Sequence, residues 1–345
     1  MKKKQTIKDI AHAAGVSIGT VDRVLHKRGK VSKKSMEIVT KVLNELDYKP
    51  NPIARTLKNN TIYSIKVLLP DPKKDHYWKR CMEGINEIIV EFGAFDFEIE
   101  IYCYDPSKPK SFSKIGEQLI QTENLDALLF VPLFEKESNT LLKKLNTRQI
   151  LSGTFNSSLS NNLVDQHTGQ DLYSSGRVAA KLIYDLIKPH SRIAIIHIDE
   201  AFNNAIHMKQ KEQGFSSFFK EYSSFEIKTL TLNSNEFQSK FPDFVEQFNP
   251  IDAFFITTSK VYEVPEALKS QGTKSKMVGY DLLLRNVECL KKGEMDFLIH
   301  QNPKIQASLG LKGLIEKLIF EKEIPKKRLL PIDIVNSENV ESYLI

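Results

Sequence analysis

Residues 6–32 read TIKDIAHAAGVSIGTVDRVLHKRGKVS. Thr6 is suited to cap a helix whose apolar positions Ile7, Ile10, Ala11 and Ala14 recur at three- and four-residue spacing, and Gly15 ends it. Val16 then plugs a small core, and Ser17 caps a second helix that runs to Leu25 with Val21, Val24 and Leu25 turned inward. Two short helices joined by AGVS predict a helix-turn-helix. Ser32 starts a third helix with Met36, Val39, Leu43 and Leu46 as its apolar stripe, so that the three bury a minimal shared core.

Outward from this stretch, charge is distributed unevenly along the 345 residues. Residues 1–60 hold 14 Lys or Arg against 5 Asp or Glu, a net +9, whereas the remainder carries 35 against 38, a net −3. A cationic segment patterned as packed helices and joined to a slightly acidic body predicts a polyanion-binding domain, not a solvated basic arm. An α-helix fits the major groove of duplex DNA, and the second helix is the reader. Its outward positions are Ile18, Gly19, Asp22, Arg23 and His26, of which Arg23 suits a bidentate contact to guanine and Ile18 a thymine methyl. Thr6, Ser17 and Thr20, with Lys27, Arg28, Lys30, Lys33 and Lys34, suit phosphate anchoring.

The quoted stretch, followed by ELDYKPNPIARTLK at residues 45–58, resembles the lac repressor / gal repressor family of bacterial regulators. The resemblance is continuous over the first 55 or so residues, with one departure: Asp22 stands in VDRV where members usually carry Ser, placing a carboxylate that repels phosphate. It also implies a role for NPIARTLK. Asn51 is a good N-cap and Pro52 fits the first helical position, but two turns are too short to be stable alone. In the family such a helix folds when two copies meet on DNA and a Leu is wedged into the minor groove; by position that Leu is Leu57, with Arg55 and Lys58 beside it.

From Ile62 onward, β-rich apolar runs alternate with helix-period segments, predicting a doubly wound α/β body with parallel sheets. Strands are read at 63–69, 97–102, 127–131, 149–152, 192–198, 227–232, 253–257, 276–280 and 297–299. The strand IKVLLPD ending at Asp71 leads to a helix with Gly84, and RIAIIHID ending at Asp199 leads to one with Gly214, a crude repeat that implies two similar lobes. The body resembles the type I periplasmic sugar-binding fold, of which ribose-binding protein is an example, through GQDLYSSGRVAAKLI, MVGYDLLLRN and MDFLIHQNPKIQASLGLKGL. The expected fold is thus a small all-α helix-turn-helix DNA-binding domain (1–50), a hinge helix and linker (51–61), and a two-lobed α/β periplasmic-binding-protein-like domain with parallel sheets. One lobe comprises 62–168 plus 301–330 and the other 169–300 plus 331–345, with crossovers near 166–169, 300–302 and 330–332.

That fold binds ligand in the cleft at the carboxyl ends of its strands. A sugar needs an aromatic surface for its C–H face and forked hydrogen-bonding groups around its edge. The run DHYW supplies aromatics where the family has its stacking wall, giving His76, Tyr77 and Trp78 as candidates beside Asp71. The resemblance further implies Asp281, which follows MVGY and accepts sugar hydroxyls in relatives, then Gln301 at a crossover. Lys211 stands where Arg is frequent, Asn156 where some relatives have Asp, Phe134 follows the third strand, and Thr257 or Thr258 lies in a tract lacking the common Asn-Asp pair.

Rival classes are poorly supported. No G-x-G-x-x-G follows a strand and no G-x-x-x-x-G-K occurs, so an enzyme's phosphate cradle is missing. Cys81, Cys103 and Cys289 show no C-x-x-C spacing, and no H-x-x-x-H pair occurs, so neither metal nor cofactor is expected. A secreted solute receptor would need an export signal in place of the basic start MKKKQTIKDI, and would leave the helix-turn-helix without a role. The expectation is a cytoplasmic homodimer with no membrane segment, bound to palindromic double-stranded operator DNA and controlled by a sugar or sugar derivative.

Overall fold

The structure is a computed structural model that describes residues 5–25, 29–46, 48, 62–159, 163–199, 205–222, 224–269 and 275–344. The chain divides into two units, Met1–Asn59 and Asn60–Ile345. In the first, α1 (Ile7–Ala14), α2 (Ile18–Leu25) and α3 (Lys33–Glu45) surround a core of Ile10, Ala11, Ala14, Val21 and Val39. Each start is satisfied by a side chain. The Asp9 N–H donates to Thr6 Oγ1 (3.3 Å) while Thr6 N–H donates back to the Asp9 carboxylate (2.7 Å), a reciprocal capping box. Ser17 accepts from Thr20 N (3.1 Å) and Ser32 from Ser35 N (3.1 Å). Gly15 leaves α1 with φ 65°, a left-handed conformation that costs a residue without Cβ little.

The stripe read on α3 is corrected at both ends. Met36 is 48% exposed and Leu46 37%, while Val39, Val42 and Leu43 turn to the core. The stripe is narrow at this spacing, but the thirteen-residue α3 is longer than its two eight-residue neighbours, which bury only its middle.

The second unit holds two six-stranded sheets. In one, β1 (Tyr63–Pro70), β2 (Phe97–Tyr104), β3 (Leu125–Phe130), β4 (Leu151–Asn156), β5 (Gln166–Gly169) and β11 (Lys327–Leu329) lie in the order β11-β5-β4-β3-β1-β2, all parallel. In the other, β6 (Arg192–Ile198), β7 (Glu226–Leu232), β8 (Ala253–Ile256), β9 (Lys276–Tyr280), β10 (Phe297–His300) and β12 (Asp333–Val335) lie in the order β12-β10-β9-β8-β6-β7, with only β12 antiparallel. The central strands are apolar runs buried along most of their length, as parallel strands covered on both faces must be. The order 5-4-3-1-2 recurs as 10-9-8-6-7, so both lobes reverse strand order at the same relative place.

Helices α4 (Tyr77–Glu91), α5 (Pro109–Ile120), α6 (Glu135–Thr147) and α12 (Pro303–Phe320) belong to the first lobe. Helices α7 (Leu172–Leu186), α8 (Ile206–Phe219), α9 (Ser234–Phe248), α10 (Glu263–Leu268) and α11 (Leu284–Lys291) belong to the second. The repeated glycines have a physical role: they let helix backbones touch. A Cβ on Gly84 of α4 would lie 2.2 Å from the Lys304 carbonyl oxygen of α12, and one on Gly214 of α8 would lie 1.9 Å from the Tyr173 carbonyl oxygen of α7.

The chain passes between the sheets after Gly169, after His300 and after Leu329, and one side chain joins the three passages. Gln170, buried, donates from Nε2 to the carbonyls of His300 (2.9 Å) and Pro331 (2.6 Å). Leu330 N–H donates to Gly169 O at 2.8 Å beside it. The segment 166–169, read as a bare crossover, is therefore a strand before the crossing, and the short β11 and β12 were not anticipated. Their residues, QHTG, KRL and DIV, carry too little pattern to mark them; pairing with a neighbour makes each a strand.

Candidate functional site

On the described surface of α2, Ser17, Gly19 and Arg23 are exposed, Ile18 is 45% exposed, and Thr20 and Asp22 are half-buried. Thr6 is exposed at the start of α1. An exposed isoleucine beside an exposed arginine on one short helix is the combination that a groove of methyl groups and base edges would take up. His26, Asn51, Arg55, Leu57 and Lys58 lie outside the described residues.

In the larger unit, the strands' carboxyl ends meet at a small pocket between the lobes. The first lobe contributes Asp75, Tyr77 and Trp78 from the turn after β1 and the start of α4, Leu133 after β3 and Asn156 at the end of β4. The second contributes His207 and Lys211 from α8, Thr258 and Ser259 after β8, and Asp281 after β9; Gln301 enters from the second crossover. Asn156 and Asp281 occupy matching places in the two lobes, and both have φ 69°. Short side chains that tolerate the left-handed region let the strand end turn sharply and aim its polar group into the cleft.

Hydrogen bonds hold this lining in place. Asn156 Nδ2 donates to the Tyr77 hydroxyl (2.7 Å), and Tyr77 N–H donates to Asp75 Oδ1 (3.0 Å). Gln301 Nε2 donates to Asp281 Oδ2 (2.8 Å). Lys211 is 2% exposed, with Nζ donating to Thr257 O (2.9 Å) and lying 3.6 Å from the Tyr280 ring centroid. Asn286, which the sequence reading did not single out, bonds through Nδ2 to the carbonyls of Ser259 (2.8 Å) and Asp281 (3.0 Å). It thereby ties the two pocket loops of the second lobe together.

Three buried polar atoms around the pocket have no partner among the described residues: Trp78 Nε1, a donor, Asp281 Oδ1, an acceptor, and Thr258 Oγ1, which is both. An unpaired buried polar group costs about 1–3 kcal/mol, and a ligand in the pocket is one source of the missing bonds. Burial pushes the Asp281 carboxyl up to about 7, against the opposing pull of Lys211 and Gln301. Burial, reinforced by the nearby Asp281 charge, raises the Tyr77 hydroxyl well above its usual range, so it serves as a neutral hydrogen-bonding group.

Of the candidates read from sequence, Tyr77, Trp78, Asn156, Lys211, Asp281 and Gln301 line the pocket, as does Thr258. Asp71, His76, Phe134 and Thr257 do not. Asp71 spends its carboxylate on Lys73 N–H (2.9 Å), closing the turn after β1. His76 is exposed ahead of α4. Phe134 is buried against the rings of Tyr104 (6.0 Å) and Phe112 (6.3 Å). Thr257 turns its hydroxyl to His197 Nδ1 (2.5 Å) and Ile196 O (3.2 Å), and gives only its carbonyl to Lys211. Trp78 has two roles: it packs edge-on against Tyr77 (4.8 Å) and near Phe155 (6.5 Å), and it lines the pocket. His207, Leu133 and Ser259 were missed. One turn before Lys211, His207 sat within reach of helical spacing, whereas nothing marked Leu133.

Comparison with known proteins supplies the family. Residues 65–322 match the model of the periplasmic binding protein domain, and residues 6–51 match that of bacterial regulatory proteins of the lacI family. The chain is 33% identical over 148 residues, 43% of its length and 42% of the relative's, to the HTH-type transcriptional regulator DegA of Bacillus subtilis. It is 47% identical over 88 residues, 26% of each chain, to the ribose operon repressor of Halalkalibacterium halodurans. These alignments span less than half the length of either curated relative. Among solved structures, one described as a LacI transcriptional regulator from Bacteroides fragilis superposes with a TM-score of 0.77 at 28% identity, covering 82% of this chain and all of the other. The chain belongs to the periplasmic binding protein domain family over most of its length and carries at its amino end the helix-turn-helix of the lacI-family bacterial regulators.

Proposed function

We propose that the protein is a cytoplasmic transcriptional regulator, acting as a homodimer on a palindromic double-stranded operator, whose grip on DNA is set by a sugar or sugar derivative in the interlobe pocket. The observation that carries the effector half is the convergence of unpaired Trp78 Nε1, Asp281 Oδ1 and Thr258 Oγ1 on one pocket beside an aromatic wall. A sugar hydroxyl both donates and accepts, so one ligand satisfies all three. The DNA half is supported by the cationic first sixty residues and the exposed Ile18 and Arg23 on α2. A solute receptor without a DNA role leaves that head unexplained.

The lobe limits 62–168 with 301–330, and 169–300 with 331–345, draw support from sheet membership, and a separate head draws support from the division of the chain at Asn59/Asn60. An effector that prefers one lobe arrangement shifts the population towards it, and in a twofold dimer such a shift changes how two heads address two half-sites. No catalytic step is required.

The test has two arms. Duplexes selected from a random pool by the purified protein should bind more tightly than random competitor, and a panel of pentoses, hexoses, sugar acids and sugar phosphates should contain a compound that raises the melting temperature. The same compound should change operator affinity. No preference for any duplex at any ionic strength, with or without the panel, sinks the proposal.

A further inference from the structure

We propose that Ile206 is a latch: seated in the apolar core of the opposite lobe, it holds the lobes together, and the interlobe pocket admits a ligand only when it is withdrawn. What points to this is the place where the side chain is buried. Ile206 opens α8 of the second lobe and is 6% exposed, yet it belongs to neither apolar cluster of that lobe. It packs instead into the cluster of the first lobe, whose other buried members all fall between Ile65 and Leu159 or between Ala307 and Ile319.

The backbone fixes the seat. Phe134, which caps α6 of the first lobe, and Ala205, which caps α8 of the second, pair as an isolated antiparallel β-bridge, and both are extended residues with no side-chain cap bond. Phe134 thus has a task other than ligand contact: its ring packs on Tyr104 and Phe112 while its backbone meets the other lobe. The chain neighbours Leu133 and His207 both line the pocket, so the latch closes directly beside it. With the latch seated the cavity measures about 30 Å³, room for a water or two, whereas small-molecule sites run to about 300–1,000 Å³. A sugar-sized ligand therefore enters only after the lobes part, and parting draws Ile206 into water. Exposing one isoleucine side chain shifts a two-state balance about tenfold to a hundredfold, a restraint that weights the latched form without locking it. It acts on any occupant, sugar or not.

Acrylamide, a small uncharged quencher, reads access to the pocket through Trp78, the sole tryptophan, which lines it and is 3% exposed. In the full chain, Ile206→Asp should shift the balance about a hundredfold towards the open form, because a carboxylate does not stay in an apolar cluster, and quenching of Trp78 should rise towards that of an exposed indole. An acidic residue suits the first turn of α8, and Ile206 is absent from its own lobe's clusters, so the variant should keep a cooperative melt. Ile206→Leu, which retains the apolar bulk, should be quenched like the unaltered chain. Conversely, Phe134→Cys with Ala205→Cys, in a chain that also carries Cys103→Ser to remove the exposed thiol, should cross-link under mild oxidation. Residues opposite each other in an antiparallel pair lie about 4.5–5.5 Å apart at Cα, within the about 4.4–6.8 Å that disulfides span. The oxidised form should be quenched less than the same protein reduced. Equal quenching of Ile206→Asp and the unaltered chain, quenching of Ile206→Leu that matches Ile206→Asp, failure of the two cysteines to join, or identical quenching of the oxidised and reduced forms would each overturn the latch. So would loss of the cooperative melt in Ile206→Asp, which would make Ile206 part of the core.

Discussion

The two walls of the effector pocket differ in chemistry, although the sheets behind them share one strand order. The first lobe offers rings and an apolar side chain, Tyr77, Trp78 and Leu133, with Asn156 bonded to one of the rings and Asp75 as its one carboxylate. The second offers His207, Lys211, Thr258, Ser259 and Asp281, nearly all polar. The duplicated frame places residues at matching strand ends, and what stands there has diverged. One wall is suited to the face of a sugar ring and the other to its edge, so affinity for any ring should depend on the first and choice among hydroxyl patterns on the second.

The largest expected effect comes from the polar wall. Removing the Asp281 carboxylate takes away a charged hydrogen bond worth about 1.5–3 kcal/mol and should weaken effector binding about tenfold to a hundredfold or more, with ligand-free DNA affinity unchanged. Because Asp281 has φ 69°, Asp281→Asn is the cleaner variant, and Asp281→Ala should add backbone strain. An unchanged titration curve for Asp281→Asn would move the selective wall elsewhere.

The frame that both walls share can be broken separately in each lobe. Gly214→Ala and Gly84→Ala each drive a methyl group into a neighbouring helix's carbonyl, and each should lower stability by about 1–3 kcal/mol, read as a fall in melting temperature. A neutral result at either position would mean that the two lobes do not depend on the same kind of close helix contact.

Smaller effects sharpen the contrast. If ligand hydroxyls donate to the ionised Asp281, binding below pH 7 must expel a proton from a carboxyl whose pKa is about 7. Affinity should then rise with pH, at most about tenfold per unit, and level off above that value, with Asp281→Asn flat. Titrations between pH 5.5 and about 8.5 decide it. Trp78→Phe keeps an aromatic ring at the first wall but loses the unpaired N–H together with part of the indole's bulk; a loss of about threefold to tenfold in affinity is expected. Trp78 is the sole tryptophan, so emission in the unaltered protein should report binding directly.

Much of the head could be read from local chemistry. Thr6, Ser17, Gly15 and Ser32 each act within three or four residues of themselves, which is why caps and stops were legible. Burial was less so: the spacing of Met36 and Leu46 suits a stripe, yet 48% of the first and 37% of the second stay exposed. In the body, long apolar strands were found, but β4 begins at Leu151 and runs to Asn156, whereas the reading placed it at 149–152. Gln149 has φ 56° and sits in the turn before it. His207 escaped notice because a histidine on a helix has no pattern of its own; only the fold turns that helix end toward the cleft.

By itself the sequence determined the order of elements, the cationic reading head, the two-lobed repeat with its glycines, and half of the pocket, because these follow from periodicity, capping and strand-end position along the chain. Tertiary structure alone decided which strand-end groups face one another, that Thr257 turns away while Thr258 does not, that Gln170 joins three passages 130 and 161 residues apart in sequence from it, and that Ile206 is buried in the opposite lobe. Those are relations between distant segments, set by how two sheets and their crossovers pack, and no local pattern encodes them.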